Sequence, residues 1–230
     1  NGSGIRARRL VLTLPIPALE ALADASTVID RPPWRQLYRS IAAIPAVKVY
    51  CWYDRPWWRD GELAPTGLST TTDLPPRKVF YFDEGPGRPA SIIAAYTDLR
   101  HNEPILSLAD GGSRGEPASP ALLRALQGWL AATHPGAKAP PVPMGSAIQH
   151  WGADPREIGY HFWRAGANSD EMMDLAAQPD PSLPIHICGE VFSRLGGWVE
   201  GAFQAASALG DRLLGQPGGV AVTDPPRGST

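Results

Sequence analysis

The chain has 230 residues and a formal net charge of −2 at neutral pH, so its composition offers no basic surface for nucleic acid or an anionic membrane. Its hydrophobic content of 43% suits one large globular domain or two small ones, and no apolar run approaches the roughly twenty residues that cross a bilayer. The five histidines are scattered and the two cysteines, Cys51 and Cys188, lie in apolar runs, which predicts buried thiols and no metal site.

The first forty residues predict a strand and two helices. Residues 9–15 are rich in Val, Leu and Thr and predict a strand, and Pro17 follows as the opening of a short helix. A second helix is predicted over residues 34–43, after a Pro-Pro pair. Because the chain begins without Met and soon enters an apolar strand, we expect a released subunit or a fragment of a longer protein.

A strand is predicted over residues 47–53, and its alternation divides the side chains between two faces. One face carries Val47, Val49, Cys51 and Tyr53, and the other carries Lys48, Tyr50 and Trp52. A lysine within such a strand usually lies at a solvated edge, so a functional role for Lys48 needs further evidence. The aromatic pair that follows, Trp57-Trp58, is more typical of a core than of a stacking platform.

The segment Ser-Thr-Thr-Thr-Asp-Leu-Pro-Pro, residues 69–76, precedes an aromatic strand. Alternation in that strand places Val79 and Tyr81 on one face and Phe80 and Phe82 on the other. The hydroxyl of a buried tyrosine needs a partner. Two interpretations of Tyr81 are open: a core tyrosine bonded to the backbone, or a residue that binds a carboxylate.

The middle of the chain predicts a strand over residues 91–97 and a helix that Ser119 caps. Trp151 then precedes an Asp-Pro pair, and residues 159–163, Gly-Tyr-His-Phe-Trp, form an aromatic strand in which His161 is more typical of a structural residue. Ser169 is predicted to cap a short helix that ends at Ala177.

The last third of the chain predicts a strand, an acidic turn and a helix with a glycine-rich start. The strand covers residues 185–188, and the turn holds Gly189 and Glu190. From Trp198 an apolar face recurs at helical spacing; it comprises Val199, Phe203, Ala206, Leu209 and Leu213. The N–H groups at such a helix start can hold an anion or a carbonyl, and the Glu190 carboxylate can accept hydrogen bonds from sugar or ribityl hydroxyls. An ordinary βα unit explains the same pattern.

The wording of this last segment, Gly-Glu followed after six residues by Gly-Trp-Val-Glu-Gly-Ala, resembles the C-terminal flavin-binding signature of the FAD-dependent amine oxidase superfamily. It is most similar to the L-amino-acid oxidases and the related amino-acid monooxygenases. The resemblance implies that FAD is bound by Gly189, Glu190, Gly197, Trp198 and Val199. It also implies that Gly197 and Trp198 contact the substrate.

Three earlier segments are similar to the same family. The Lys-Val-Tyr strand before Trp57-Trp58 implies that Lys48 is the catalytic residue that holds a water near flavin N5. The Ser-Thr-Thr-Asp-Leu-Pro segment, here with one extra Thr, implies that Tyr81 binds the substrate carboxylate. The segment around residue 151 implies that Trp151 lies against the flavin, and the Gly-x-His-x-Trp strand implies that Trp163 lines the side-chain pocket.

The expected fold is α/β with α+β character: a mixed sheet with helices from a substrate domain, plus the closing strand and helix of a Rossmann-like FAD-binding domain. The expected divisions are residues 1–30 for the return to the FAD domain, 31–150 for the substrate domain, 151–215 for the FAD-binding segment and 216–230 for a flexible tail. The Gly-x-Gly-x-x-Gly fingerprint of a dinucleotide-binding domain is missing. We therefore expect an N-terminal partner chain from the same precursor, and a homo-oligomer of the assembled enzyme.

The reaction that the resemblance implies is oxidation of an L-amino acid by O₂ to the 2-oxo acid, with release of ammonia and H₂O₂. Two alternatives within the family stay open, an oxidative decarboxylase and an amine oxidase. A flavin-free binding or structural module is the alternative from another class. The sequence assigns no cellular compartment.

Overall fold

A computed structural model describes residue 4 and residues 6–61, 67–137 and 139–215, so the predicted tail at 216–230 lies outside the described residues. The strands are β1 Leu10–Leu12, β2 Ile41–Ile44, β3 Ala46–Tyr53, β4 Ser69–Thr71, β5 Lys78–Phe82, β6 Ala90–Asp98, β7 Gly145–Trp151, β8 Tyr160–Trp163 and β9 Ile185–Ile187. The α-helices are α1 Ile16–Asp24, α2 Pro32–Ser40, α3 Glu103–Leu106, α4 Pro120–Thr133, α5 Ser169–Ala177 and α6 Val199–Leu214. The fold is a mixture of α and β, as expected.

The chain divides into two compact units. Unit 1 comprises the described residues within 1–43 and 160–215, and unit 2 comprises those within 44–159. Unit 2 therefore differs at both ends from the predicted substrate domain at 31–150. The physical reason at the first boundary is burial, because Trp34 and Leu37 of α2 are buried in the hydrophobic core of unit 1.

Unit 1 is built on a short parallel pair of strands, β1 and β9, in which Leu10 lies opposite Ile185. Its core combines residues from both ends of the chain: α1 and α2 supply Leu19 and Trp34, and α5 and the turn after β9 supply Met172 and Phe192. Strand β8 pairs with β2, where the chain passes from one unit to the other. The predicted cap of α5 is displaced by one residue, since the Asn168 side chain accepts from the Glu171 N–H.

Unit 2 is a five-stranded sheet with the order β4-β5-β6-β3-β7. The pairings among its five strands are antiparallel, with one isolated parallel bridge between Arg77 and Tyr96, whereas a mixed sheet was expected. Helix α4, which begins at the predicted Ser119 cap, buries Leu122, Leu126 and Leu130 in the core with the odd-numbered side chains of β3 and β5. The same core contains Trp57 and Trp58, as the sequence predicted.

The apolar face predicted for α6 is not the face that packs. Val199 and Phe203 are exposed, and Leu209 is the buried member of the predicted set. The cause is Gly201: a Cβ there would collide with Ser193 Oγ and the Leu195 carbonyl. Close backbone approach at Gly201 turns the face that carries Gly201 and Leu209 toward the rest of unit 1 and leaves Val199 and Phe203 exposed.

No helix among the described residues is both long enough and apolar enough to pass through a bilayer.

Candidate functional site

The predicted site residues fall into two groups. Unit 2 contains Lys48, Tyr81 and Trp151, and unit 1 contains Trp163, Gly189, Glu190, Gly197, Trp198 and Val199. Each group is described within its own unit.

Lys48 lies on β3, which is bonded to β6 on one side and to β7 on the other. The interpretation of a solvated edge lysine is therefore wrong, since β3 is an interior strand. The Lys48 ammonium lies 4.7 Å from the centre of the Tyr96 ring and 5.1 Å from the centre of the Trp151 ring. Both distances are within the range of a cation–π contact. Burial lowers the pKa of Lys48 from its ordinary value of 10.5.

The sheet face that carries Lys48, here called the lysine face, is rich in aromatic side chains. The sequence did not predict that these side chains share one face. The strand register places on it Tyr50, Trp52, Phe80, Phe82, Tyr96 and Trp151. Trp52 and Phe82 are exposed and the other four are half-buried. Alternation within each strand was readable from the sequence, but the pairing of the strands was not. Tyr96 is the residue that sequence reasoning missed.

Tyr81 lies on the opposite face of the sheet, and this corrects its predicted role. The side chain is 6% exposed and packs in the core of unit 2. Its hydroxyl is 2.8 Å from Thr70 Oγ1 and 2.6 Å from His134 Nε2. Two side chains therefore satisfy the hydroxyl, where the core interpretation had expected the backbone, and no bound carboxylate is needed to satisfy it.

Glu190 follows β9 and is held at both carboxylate oxygens. Oε1 is 2.7 Å from Nδ1 of His161, and Oε2 accepts a hydrogen bond of 2.6 Å from the Gly197 N–H. Burial opposes the charge on Glu190, but these two partners outweigh it and lower the pKa of the carboxyl below its ordinary value of 4.5. The Gly197 N–H, which the sequence analysis had left free for a ligand, is used by the protein itself.

The residues around the start of α6 form an exposed turn. Gly197 has a φ of +82°, a conformation that glycine adopts without steric cost, and it follows a turn that begins at Leu195. Trp198 occupies the N-cap position without a side-chain hydrogen bond to the helix, and its side chain is 69% exposed. A tryptophan that packed α6 against other parts of unit 1 would be buried, whereas Trp198 is exposed, and Val199 beside it is exposed as well.

Trp163 and His161 lie on β8 in unit 1, and each contacts another residue of that unit. Trp163 was expected in a substrate pocket, but it is half-buried and its ring centre lies 6.1 Å from that of Phe192, at the core of unit 1. His161 was expected to be structural, and its buried side chain contacts the carboxylate of Glu190. His161 and Glu190 are 29 positions apart in the sequence, which hides this contact from any local pattern.

These features fit a flavin on two counts. Each Glu190 oxygen has one donor and keeps a lone pair, so it can accept a further hydrogen bond from a ribityl hydroxyl. The 16-residue helix α6 begins without a side-chain cap, so its first N–H groups and its dipole favour an electron-rich group at that end.

Comparison with known proteins agrees with this chemistry. The family model of the flavin containing amine oxidoreductases matches residues 1–209. Aplysianin-A from Aplysia kurodai is 25% identical over 220 residues, which are 88% of this chain and 38% of that protein. The chain thus spans less than half the length of this relative. Because the family model covers most of the sequence, the chain belongs to the flavin-containing amine oxidoreductases.

Proposed function

We propose that this chain forms the C-terminal part of an FAD-dependent L-amino-acid oxidase. The reaction would convert an L-amino acid, O₂ and water to the 2-oxo acid, ammonia and H₂O₂. Membership of the flavin-containing amine oxidoreductases supports the flavin chemistry. The choice of amino acids as substrates is supported by the Ser-Thr-Thr-Thr-Asp-Leu-Pro and Gly-Gly-Trp-Val-Glu-Gly-Ala segments, which resemble those of the L-amino-acid oxidases.

The observation that carries the proposal is the position of Lys48. It is a half-buried cation on an interior strand, flanked by Tyr96 and Trp151 on a face that carries six aromatic side chains. Desolvation of an ammonium costs free energy, so a structural lysine would normally extend to water instead. A lysine kept in this place fits the role of holding a water beside a flavin.

Bound FAD would supply the hydride acceptor for substrate oxidation and the group that O₂ reoxidises. In unit 1, Glu190 would hold the ribityl chain, and Gly189, Gly197 and Val199 would place backbone groups around the cofactor. The family resemblance implies contact with the flavin for Trp151 and retention of the water for Lys48, and both roles are kept as part of the proposal.

The substrate contacts need revision after the correction of Tyr81. The Gly197 carbonyl stays the proposed acceptor for the substrate amine, with Trp198 as the wall beside the Cα. The exposure of Trp198 supports this, because the side chain is not occupied by packing within its own unit. Trp163 is proposed only as a support for the pocket, through its contact with Phe192.

An N-terminal partner segment that carries the Gly-x-Gly-x-x-Gly fingerprint is part of the proposal. The outward face of α6 supports it, because Val199, Phe203 and Leu214 are large apolar side chains with more than half of their surface exposed. Phe203→Glu should weaken association with that segment, measured by co-purification, and Ala208→Glu is the control that adds the same charge at an exposed position on another side of the helix. Equal association of both variants would count against this surface.

The activity is tested with the full-length protein, or with this chain joined to its N-terminal segment, against a panel of L-amino acids. The expected products are ammonia, H₂O₂ and the 2-oxo acid in equal amounts. An amide with CO₂ in place of the oxo acid would identify an oxidative decarboxylase, and turnover of amines alone would identify an amine oxidase. Failure to take up flavin would favour a binding or structural module.

A further inference from the structure

We infer that His161 is a positioning residue for cofactor binding, which acts by donating a hydrogen bond to Glu190 and keeping that carboxylate ionised toward the flavin. The inference rests on the proposed function, since it concerns the same cofactor. It adds a residue to which the family resemblance gave no role at the flavin.

The geometry of the pair is well defined. The His161 side chain is 4% exposed, and its Nδ1 lies 2.7 Å from Glu190 Oε1. The other Glu190 oxygen is fixed by the Gly197 N–H at 2.6 Å. A carboxylate held at both oxygens has lost its rotational freedom before any ligand arrives, and such preorganisation reduces the entropic cost of binding.

The surroundings of the second ring nitrogen, Nε2, indicate which nitrogen of His161 carries the proton. Nε2 is buried and has no hydrogen-bond partner among the described residues. A buried N–H without an acceptor costs more than a buried lone pair without a donor, so the proton belongs on Nδ1 and Nε2 stays unprotonated. Nδ1 then donates to Glu190, and this hydrogen bond stabilises the negative charge of the carboxylate.

The other charged side chains near Glu190 do not take the place of His161 as a donor to its carboxylate. Arg194, on the same turn, pairs with Asp170 of α5 at 2.9 Å. Glu200, in the first turn of α6, is exposed. The stabilised Glu190 charge is suited to hydroxyl donors such as those of a ribityl chain, and it would repel a phosphate. The pair therefore discriminates between the parts of the cofactor.

The consequence is measurable as the pH at which flavin is released. The ionised form of Glu190 is the one that accepts hydroxyl hydrogen bonds, so flavin affinity is complete above the pKa of Glu190 and declines as the pH falls through it. Removal of the His161 donor raises that pKa, and release should then occur at higher pH. Loss of one hydrogen bond to a charged group predicts an upward shift of about one to two pH units.

The experiment uses the full-length protein and measures flavin retained after filtration, from pH 3 to pH 8 (roughly the range in which carboxyl and imidazole groups titrate). His161→Leu keeps the volume and removes the donor, and His161→Asn places an amide N–H near the position of Nδ1. We expect His161→Leu to release flavin at higher pH, His161→Asn to behave like the parent, and Glu190→Gln to lose the release step. A general structural role of His161 would not produce rescue by Asn together with a shifted pH.

A spectroscopic measurement on the parent protein keeps the test independent of how well the variants fold. The ¹⁵N signals of His161 at neutral pH should report a proton on Nδ1 alone. A proton on Nε2, or identical release pH in the parent and His161→Leu, would overturn the inference and leave the proposed function intact. A parent protein that binds no flavin would overturn both.

Discussion

The Tyr81 hydroxyl lies 2.6 Å from Nε2 of His134, on the side of the five-stranded sheet that packs against α4. His134 Nδ1 is 2.7 Å from the Leu130 carbonyl, so it donates there and Nε2 accepts from the tyrosine. The pair therefore joins strand β5 to the C-terminal end of α4. A tyrosine used in this way contributes to stability, and its predicted contact with substrate is withdrawn.

Tyr81→Phe should destabilise the protein by about 1–3 kcal/mol, because it leaves the buried Nε2 of His134 without a donor. Catalytic efficiency toward an amino acid should stay near the parent value. Tyr50→Phe is the matched control, since Tyr50 is a half-buried tyrosine on the lysine face and should change stability by less than about 0.5 kcal/mol. Urea unfolding measures both; a loss of catalytic efficiency with unchanged unfolding in Tyr81→Phe would return the residue to the substrate site.

His134 also predicts how stability depends on pH. Burial lowers the pKa of His134 below its ordinary value of 6.5, so the unfolded chain binds more protons than the folded one between the two values. Stability from this group is complete above about pH 6.5 and is lost as the pH falls toward the lowered pKa. The melting temperature of the parent should decline over that window more steeply than that of His134→Gln. Parallel curves for the two proteins would contradict the assignment.

The strands of unit 2 were predictable because their chemistry is local. The alternation of Val47 and Val49 with Lys48 follows from the period of a strand. Val47 and Val49 share one face of β3, and both are buried in the core of unit 2. Tyr81 shows the limit, since alternation placed it with Val79 but could not tell which face α4 covers. For α6 the helical periodicity was predicted correctly, but the face that packs was not. The helix backbone approaches its neighbours closely at Gly201, and this contact outweighs burial of the larger apolar face.

Lys48→Met should slow reoxidation of reduced flavin by O₂, because the charge beside the proposed water is lost. Lys78→Met is the control: Lys78 is also a lysine on this face, and its ammonium lies 4.8 Å from the centre of the Phe80 ring. Burial lowers the pKa of Lys48, so the parent rate should decline as the pH rises through a value below 10.5, and this step should be absent in Lys48→Met. Stopped-flow measurement of flavin reoxidation tests this prediction. Equal rates in the parent and Lys48→Met would mean that Lys48 has no role at the flavin.

The last prediction compares two tryptophans of unit 1 for which the family resemblance implies contacts with the substrate. Trp198 is 69% exposed, whereas Trp163 is half-buried against Phe192. Trp163→Ala should lower the free energy of unfolding by about 3 kcal/mol, at the lower end of the range for a buried aromatic side chain. Trp198→Ala should change the free energy of unfolding by less than about 0.5 kcal/mol, as expected for a surface position.

In catalysis the order of the two effects should be reversed, with the larger loss in the Trp198 variant. If Trp198 is the wall that aligns the substrate Cα with the flavin, a displacement on the order of 1 Å can lower the rate about a hundredfold. Anaerobic reduction of the flavin by amino acid should therefore be slow in Trp198→Phe and Trp198→Ala, with flavin content and melting temperature kept. Reduction at the parent rate, together with a lowered melting temperature, would mean that Trp198 is covered by another part of the assembled protein and serves its packing instead.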